Sequence, residues 1–473
     1  MGRILSKLFL HFGELVYLCI RKFSIIIKRK DMKKVLTLMM MGLLFVTVSQ
    51  AQQKWTLRQC IEHALQNNIS LQKTRLAKRS ATEDLRQSQA ALLPSLSAST
   101  NQSVGYRPWT NSGVATVTNG TVSTSVNKTY YNGSYGLNAS WTVWNGNRNR
   151  NQVKLNRLAE QQAELDSAYT ANSIQEQIAQ LYVQILYLNE AIGVNEQSLE
   201  ASKMNEERGQ QMLEVGKMSK ADLAQLTAQR ATDEYNLVNA RSNLANYKLQ
   251  LKQLLEITDA EFDIEIPEAP DELALEAIPS LPAVYEAALA TRPEIENSRL
   301  GIRSSDVQLS IAKAQRLPTV SMTGGIGTST NSLSNNGWGN QIKTNLDASI
   351  GASLSIPILD NRSARTAINK AKLQQQQALL ELQDQQKQLY STIEGFWLDA
   401  QTNQQKFRAA QLSVDSEQQS YNLLSEQFQL GLKNIVELMN GKTNLLNAQQ
   451  NMLQSKYMTI LDLQLLKFYK GEI

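Results

Sequence analysis

The chain has 473 residues, with 48 Lys/Arg against 43 Asp/Glu, two cysteines and two histidines. Residues 1–51 hold nine of the basic residues and two of the acids, so the remainder carries 39 against 41 and is nearly neutral. That balance excludes the basic footprint of a nucleic-acid binder, and so few Cys and His exclude a disulfide scaffold or a Cys/His zinc cluster.

Residues 32–51, MKKVLTLMMMGLLFVTVSQA, have the anatomy of a secretory signal, with Lys33-Lys34, an apolar run from Val35 to Val48, and Ser49-Gln50-Ala51 before the cut. Cleavage is expected after Ala51, with Met32 as the start and 1–31 as an upstream extension. Cys60 would then be the single thiol of the exported chain, tucked under a short helix.

The predicted elements after Ala51 occur twice. A short helix at Leu57–Gln66 precedes a rod at Asn68–Ala91 that stops at Leu93-Pro94. Two strands, Leu96–Gly105 and Tyr135–Trp144, flank a polar loop, Arg107–Tyr130. From the turn Asn145-Gly146 a helix is predicted from Asn147 to Val215, about 100 Å of rod. Gly216 breaks it, and a return helix runs through Ser219–Glu256. The linker that follows, 257–281, is acidic and Pro-rich. The second copy gives Pro282–Ala290, then Glu294–Arg316 ending at Leu317-Pro318, strands around Val320–Ile326 and Leu346–Ile356, and a loop, Thr328–Asn345. A turn at Asp360-Asn361, a second rod broken at Gly431, and a return helix, Asn434–Lys470, complete it. The early landmarks are shifted by 224 residues and the later ones by 215, so the nine-residue difference falls between the strands. The chain therefore reads as two repeats, 52–256 and 282–473, joined by 257–281.

Apolar residues in the first rod (Ile174, Ile178, Leu181, Ile185, Leu188, Ile192, Asn195, Leu199) alternate in steps of four and three. Leu389, Ile393, Phe396, Ala400, Asn403, Phe407, Ala410 and Val414 do the same in the second. A 3.5-residue period is the seam of helices that coil around neighbours. In the strands, apolar residues alternate with Ser, Thr, Asn and Gly. Leu137, Ala139, Trp141 and Val143 form one set, and Ala348, Ile350 and Leu354 another. One apolar and one small polar face over about ten residues is the pattern of membrane-barrel strands. The aromatics Tyr106, Trp109, Tyr130, Tyr131, Trp141 and Trp144 sit near the strand ends, where an interfacial girdle belongs. Four strands cannot close; the smallest membrane barrels use about eight, and three chains would supply about twelve with room for a lumen.

The order of these elements, the Leu-Pro stops, the turns Asn145-Gly146 and Asp360-Asn361, and the tips Val215-Gly216 and Leu430-Gly431-Leu432 together resemble the TolC-like outer membrane factor (outer membrane efflux protein) family over about 52–473. The resemblance implies a mainly α protein with membrane β: a duplicated helix–strand–strand–helix–helix unit. Its long coiled-coil hairpins form an α-barrel and its strands a shared 12-stranded transmembrane β-barrel, as a homotrimer. It implies an outer-membrane channel with a long periplasmic extension, the exit duct of a tripartite efflux or type I secretion system. The partners implied are copies of itself, a periplasmic membrane-fusion adaptor, an inner-membrane pump of RND or ABC type, and outer-membrane lipid.

By the same resemblance, Glu437 and Lys433 match gate positions of the periplasmic mouth, Asp222 matches an acidic partner in the first tip, and Asn440 falls where a second acid can occur. Phe428 stands where a tyrosine lock can occur, so that hydrogen bond is not expected here. Val215, Gly216, Leu430, Gly431 and Leu432 are the expected adaptor-docking tips.

No phosphate-binding Gly-rich loop, metal cluster or cofactor motif is found, and Cys60 with His63 lacks an orienting third group, so no enzyme is expected. The competing expectations are a trimeric coiled-coil adhesin and a periplasmic scaffold.

Overall fold

The computed structural model describes residues 54–109, 114–118, 120–125, 128–258, 262–267, 269–334 and 336–472. The signal and upstream extension, 1–51, lie outside them. The chain divides into a small unit, 1–55 with 260–264, and a large one, 56–259 with 265–473. In the small unit the Trp55 amide donates to the Asp263 carbonyl at 3.0 Å, and the Trp55 ring tilts against Phe262.

In the large unit the first repeat runs α1 (Leu57–Asn67), α2 (Ile69–Ala90), β1 (Ser95–Tyr106), β2 (Val114–Thr118), β3 (Thr121–Ser125), β4 (Thr129–Trp144), α3 (Arg148–Glu214) and α4 (Lys220–Leu254). After a short helix, α5 (Asp271–Ala274), the second gives α6 (Leu281–Thr291), α7 (Pro293–Ala314), β5 (Thr319–Asn331), α8 (Trp338–Thr344), β6 (Asp347–Ser355), α9 (Ser363–Gln429) and α10 (Ile435–Lys470). The long helices α3 and α9 are 67 residues each.

Local chemistry sets the element ends. Thr56 and Gln59 form a capping box on α1, and the Asn68 side chain caps α2. At the entries of α3 and α9, the Asn145 and Asp360 side chains accept from the Asn149 and Ala364 amides at 3.2 and 2.7 Å. Both rods end alike: Lys217 and Gly216 donate to Met212 and Leu213, and Leu432 and Gly431 donate to Gln427 and Phe428. This six-to-one and five-to-two pairing needs a left-handed residue, which Gly216 (φ 74°) and Gly431 (φ 75°) supply without steric penalty.

Much of the seam read from the sequence is buried. Ile174, Ile178, Ile185, Leu188 and Leu199 are core residues, as are Leu389, Ile393, Ala400 and Phe407, while Leu181, Ile192, Phe396, Asn403, Ala410 and Val414 are half-buried. Near the tips the helices lie in the order α4–α3–α10–α9; nearer the sheet the order is α2–α3–α7–α9. Val284, Ala288, Ile295, Leu389, Ile393, Ala400, Leu466 and Tyr469 form a core cluster where α6, α7, α9 and α10 meet. The later part of the acidic linker, from Asp271 to Pro279, packs along α9 and α10. Lys456 pairs with Asp271 at 2.9 Å and Lys467 with Glu276 at 2.6 Å, while the Trp397 indole donates to the Pro279 carbonyl.

One buried carboxyl in this region titrates unusually. Burial pushes Asp462 up from 3.8 to about 7; Asp399 adds to the shift, and the Asn403 amide, donating at 3.1 Å, opposes it. A folded state that holds a proton the unfolded chain releases loses stability as pH rises from about 4 to about 7, then levels out. Asp462→Asn is therefore expected to raise the melting temperature at pH 8 and to change it little near pH 4, in thermal melts of the detergent-solubilised protein.

The loops are more structured than the sequence reading expected. Within 107–130 the strands β2 and β3 pair as a hairpin, with Thr118 opposite Thr121. The sequence Asn-Gly at 119–120 is a two-residue turn signal that the Ser/Thr-rich composition hides. Strand β4 starts six residues before Tyr135, and β5 extends to Asn331. Helix α8 occupies the second loop, pinned by the buried Gln341 side chain, which accepts from the Asn331 amide (2.7 Å) and donates to the Asn331 carbonyl (3.1 Å).

Candidate functional site

Two surfaces gather the residues singled out by sequence: one face of the sheet and the hairpin tips. The sheet order is β1-β4-β5-β6, antiparallel throughout, so β4 and β5 join the two repeats and β1 and β6 are its edges. Register puts Leu96, Leu137, Ala139, Trp141, Met322, Ile326, Ala348, Ile350 and Leu354 on one face. The other face carries Ser97, Ser99, Asn138, Ser140, Thr323, Gly325, Ser349 and Ser353. The apolar face is not covered within the chain: Ile350 is 87% exposed and Leu96 75%. Val143 sits at a register shift between Thr142 and Trp144, which turns Trp144 toward Val320 and leaves Val143 without a cross-strand partner.

Aromatic groups bracket this face. At the helix end the exposed Trp141 donates its indole N–H to the Leu92 carbonyl at 2.9 Å. At the loop end Tyr131 lies beside Tyr135, whose ring meets Trp338 of α8 edge-on. Among the described residues no helix is long and apolar enough to cross a membrane.

At the other end of the rods, Val215, Leu430 and Leu432 project into solvent, 69–75% exposed. Beneath them Phe428 is buried with Leu226, Ile435 and Leu438, against Met218, Tyr421 and Met439. Asp222 and Glu437 occupy the same place in their helices, the third residue after the cap. Ser219 accepts from the Asp222 amide and Asn434 from the Glu437 amide. The Glu437 carboxylate returns a capping-box bond to the Asn434 amide and pairs with Lys433 at 2.8 Å. The Lys433 ammonium, followed by the Asn434 amide, holds the Glu437 carboxyl below its usual value, so it stays ionised. Asn440 is exposed on α10, and Lys433 contacts Glu437 of its own helix entry.

Cys60 is buried, and desolvation pushes its thiol up to about 12, away from nucleophile chemistry. Among the described residues no group of three or more His, Cys, Asp or Glu could hold a metal ion. Sequence reasoning missed the buried Arg292, considered below, and Lys442, whose ammonium reaches the Asp233 carboxylate of α4 and the Ser202 hydroxyl of α3.

The family model for outer membrane efflux proteins matches residues 60–256 and 284–472. Outer membrane efflux protein BepC of Brucella suis is 23% identical over 87% of this chain and 84% of its own length. Outer membrane protein TolC of Escherichia coli is 23% identical over 68% of this chain and 71% of its own. The crystal structure of the Campylobacter jejuni CmeC outer membrane channel superposes with a TM-score of 0.72 at 20% identity, covering 88% of this chain and 86% of CmeC. The chain belongs to the outer membrane efflux protein family, and it serves in the outer membrane as an efflux exit duct.

Proposed function

We propose that three copies close into one passive conduit: a twelve-stranded barrel through the outer membrane, continued by a helical tube through the periplasm. The observation that carries this reading is that every open edge falls on the same two flanks. One flank presents β1, α2 and α4, and the other β6 and α9. The exposed large apolar side chains are concentrated on the flanks. Helix α9 shows Leu373, Leu379, Leu380, Leu398, Leu412 and Leu423, and α4 shows Tyr235, Val238 and Leu249, whereas of the helices between them α10 shows Val436 and the 67-residue α3 only Tyr169 and Met204. Two different flanks that need covering make a head-to-tail interface, and such interfaces close into rings. Strand β6 runs opposite to β1, so the junction between copies stays antiparallel.

Unpaired strand edges in lipid would cost several kcal/mol per backbone group, which makes closure obligatory. The stretch from Tyr131 to Trp141 is about 33 Å of strand, which a tilt near 40° fits to an apolar band of about 25 Å. In this reading the apolar sheet face meets lipid and the Ser/Asn/Gly face lines the lumen. The signal at 32–51 is removed on export. The tips at Val215-Gly216 and Leu430-Gly431-Leu432 dock a membrane-fusion adaptor, and an inner-membrane pump of RND or ABC type supplies the energy.

Glu437 and Lys433 line the periplasmic mouth. Paired as they are, three of each make a nearly neutral ring, and removing one partner exposes the other. Lys433→Gln is expected to shift the reconstituted channel toward cation selectivity, and Glu437→Gln toward anions. Reversal potentials in planar bilayers under a salt gradient read this directly. Unmoved potentials in both variants would take the pair out of the mouth.

A further inference from the structure

The apolar face of the sheet is not uniform. Register lays Leu96, Ala139, Gly324 and Ile350 in one row across β1, β4, β5 and β6. The two middle residues are small, so the row sinks between Leu96 and Ile350. Trp141 and Met322 rise on the helix side of this dip, and Leu137 and Ile326 on the loop side. On β6 the loop-side wall drops to Ala348. The hollow measures about 470 Å3. A Cβ at Gly324 would meet Ile350 Cγ1 at 3.7 Å, an ordinary contact, so a larger side chain would fill the space without strain.

Beyond Ala348 the strand leads back to α8, which lies on this same face. The Thr328 hydroxyl donates to the Ile342 carbonyl at 2.9 Å, and Trp338 meets the Tyr135 ring. Thr328 and Tyr135 pair within the apolar register. Here the face changes character. Tyr131 donates to the Gln102 side chain, and the Gln102 amide donates to Thr100 at 2.9 Å. Trp338 keeps 57% of its surface exposed beside Tyr135. Lys343, in the last turn of α8, is exposed and makes no ion pair among the described residues. Register places no charged side chain on this face of β1, β4, β5 or β6. An ammonium at the edge of a lipid-facing surface, with no acid beside it, is complementary to a lipid phosphate.

We infer that the hollow and α8 form one binding site for a phosphorylated glycolipid of the outer leaflet. One acyl chain lies across Gly324 and leaves over Ala348. Lys343 pairs with a headgroup phosphate, and the Trp338 indole packs on a sugar ring. Gln102 and Tyr131 supply hydrogen bonds to sugar hydroxyls. From Gly324 to Thr328 is about 13 Å of strand, roughly half of an apolar band of about 25 Å, so the hollow lies at the depth of one leaflet's chains. The site rests on the barrel reading above, with the loop end of the sheet outward.

The test uses the full exported protein, delipidated in a nonionic detergent, with lipid binding followed by native mass spectrometry. The probes are a bis-phosphorylated, acylated glucosamine disaccharide, its dephosphorylated form, its deacylated form, and phosphatidylethanolamine. The acylated phosphoglycolipid is expected to bind at least about fivefold more tightly than each of the others. Lys343→Gln should abolish its advantage over the dephosphorylated form, and Lys343→Arg should keep it. Gly324→Leu, which fills the hollow, should weaken glycolipid binding about tenfold while heat-resistant oligomer is recovered as in the parent. Equal binding of all probes would mean an unspecific lipid coat and would overturn the site. So would a Gly324→Leu protein that binds as the parent does, or a deacylated probe that binds as well as the acylated one. Should Gly324→Leu fail to assemble, the two Lys343 variants decide, because α8 lies outside the strands. A parent that proves monomeric without detergent would remove the barrel reading, and the lipid site with it.

Discussion

Leu137→Arg is expected to eliminate the membrane-inserted protein, while Asn138→Arg, one residue along, is expected to leave it assembled. Leu137 lies mid-strand on the apolar face, opposite Ala98 and Ile326, with Ala348 beyond. It is already half exposed, so a water-facing sheet would accept arginine there with little penalty. In lipid the same change costs about 2–4 kcal/mol at the bilayer midplane, and the proposed ring would carry that cost in every copy. Asn138 faces the opposite side, where its amide donates to Ser99 at 3.2 Å, and a lumen tolerates charge. Heat-resistant oligomer recovered from the outer-membrane fraction is the readout. Equal recovery of both variants would place the apolar face away from lipid.

The second large effect concerns Arg292, at the junction of α6 and α7. Its guanidinium stacks on the Tyr469 ring at 3.9 Å and the Phe468 ring at 5.0 Å, and its Nε donates to Glu294 at 3.2 Å. The Glu176 carboxylate, which accepts from Tyr469, stands nearby and is held above its usual value by burial. Glu294 is largely buried and its Oε2 already has no partner, so taking away the cation removes the Arg292 bond to the other oxygen as well. Breaking a buried pair from one side costs about 3–5 kcal/mol. Arg292→Ala should therefore lower denaturant midpoints strongly, and Arg292→Lys should rescue only part, since an ammonium cannot stack as a plane. Arg292→Met with Glu294→Met should be milder than Arg292→Ala alone. Additive losses would show that the charge pair is not what holds this junction.

Much of this architecture was legible in residue order. The 3.5-residue seam of the rods, the glycines that stop them and the two-residue period of the strands are all local signals, and each maps onto an element. Register across four strands was not local, yet it followed from alternation, because a one-residue slip would have mixed Leu137 with Ser97 and Ser349 on one face. The β2–β3 hairpin could have been found from Asn119-Gly120. Helix α8 could not, because it depends on Gln341 binding the end of β5. At the hairpin tips, sequence singled out Glu437 and Asp222, whereas their capping roles became visible only with Asn434 and Ser219 in place. Arg292 and Lys442 stayed hidden for a common reason. A lone basic residue in a polar helix reads as solvated, and the partners of Lys442 lie 209 and 240 residues away.

The claim beneath all of this is that one chain contributes a third of a barrel. Within a single chain, β1 and β6 are separated by three inter-strand spacings, about 14 Å, too far for a disulfide. Cysteines introduced at Ser97 on β1 and scanned across Ser349, Ile350 and Gly351 on β6, with Cys60 replaced by serine, can therefore bridge only between copies. Oxidation followed by denaturing electrophoresis should give a covalent ladder that stops at three chains. A ladder ending at two, one continuing past three, or no cross-link from any pair in assembled protein would contradict the shared barrel.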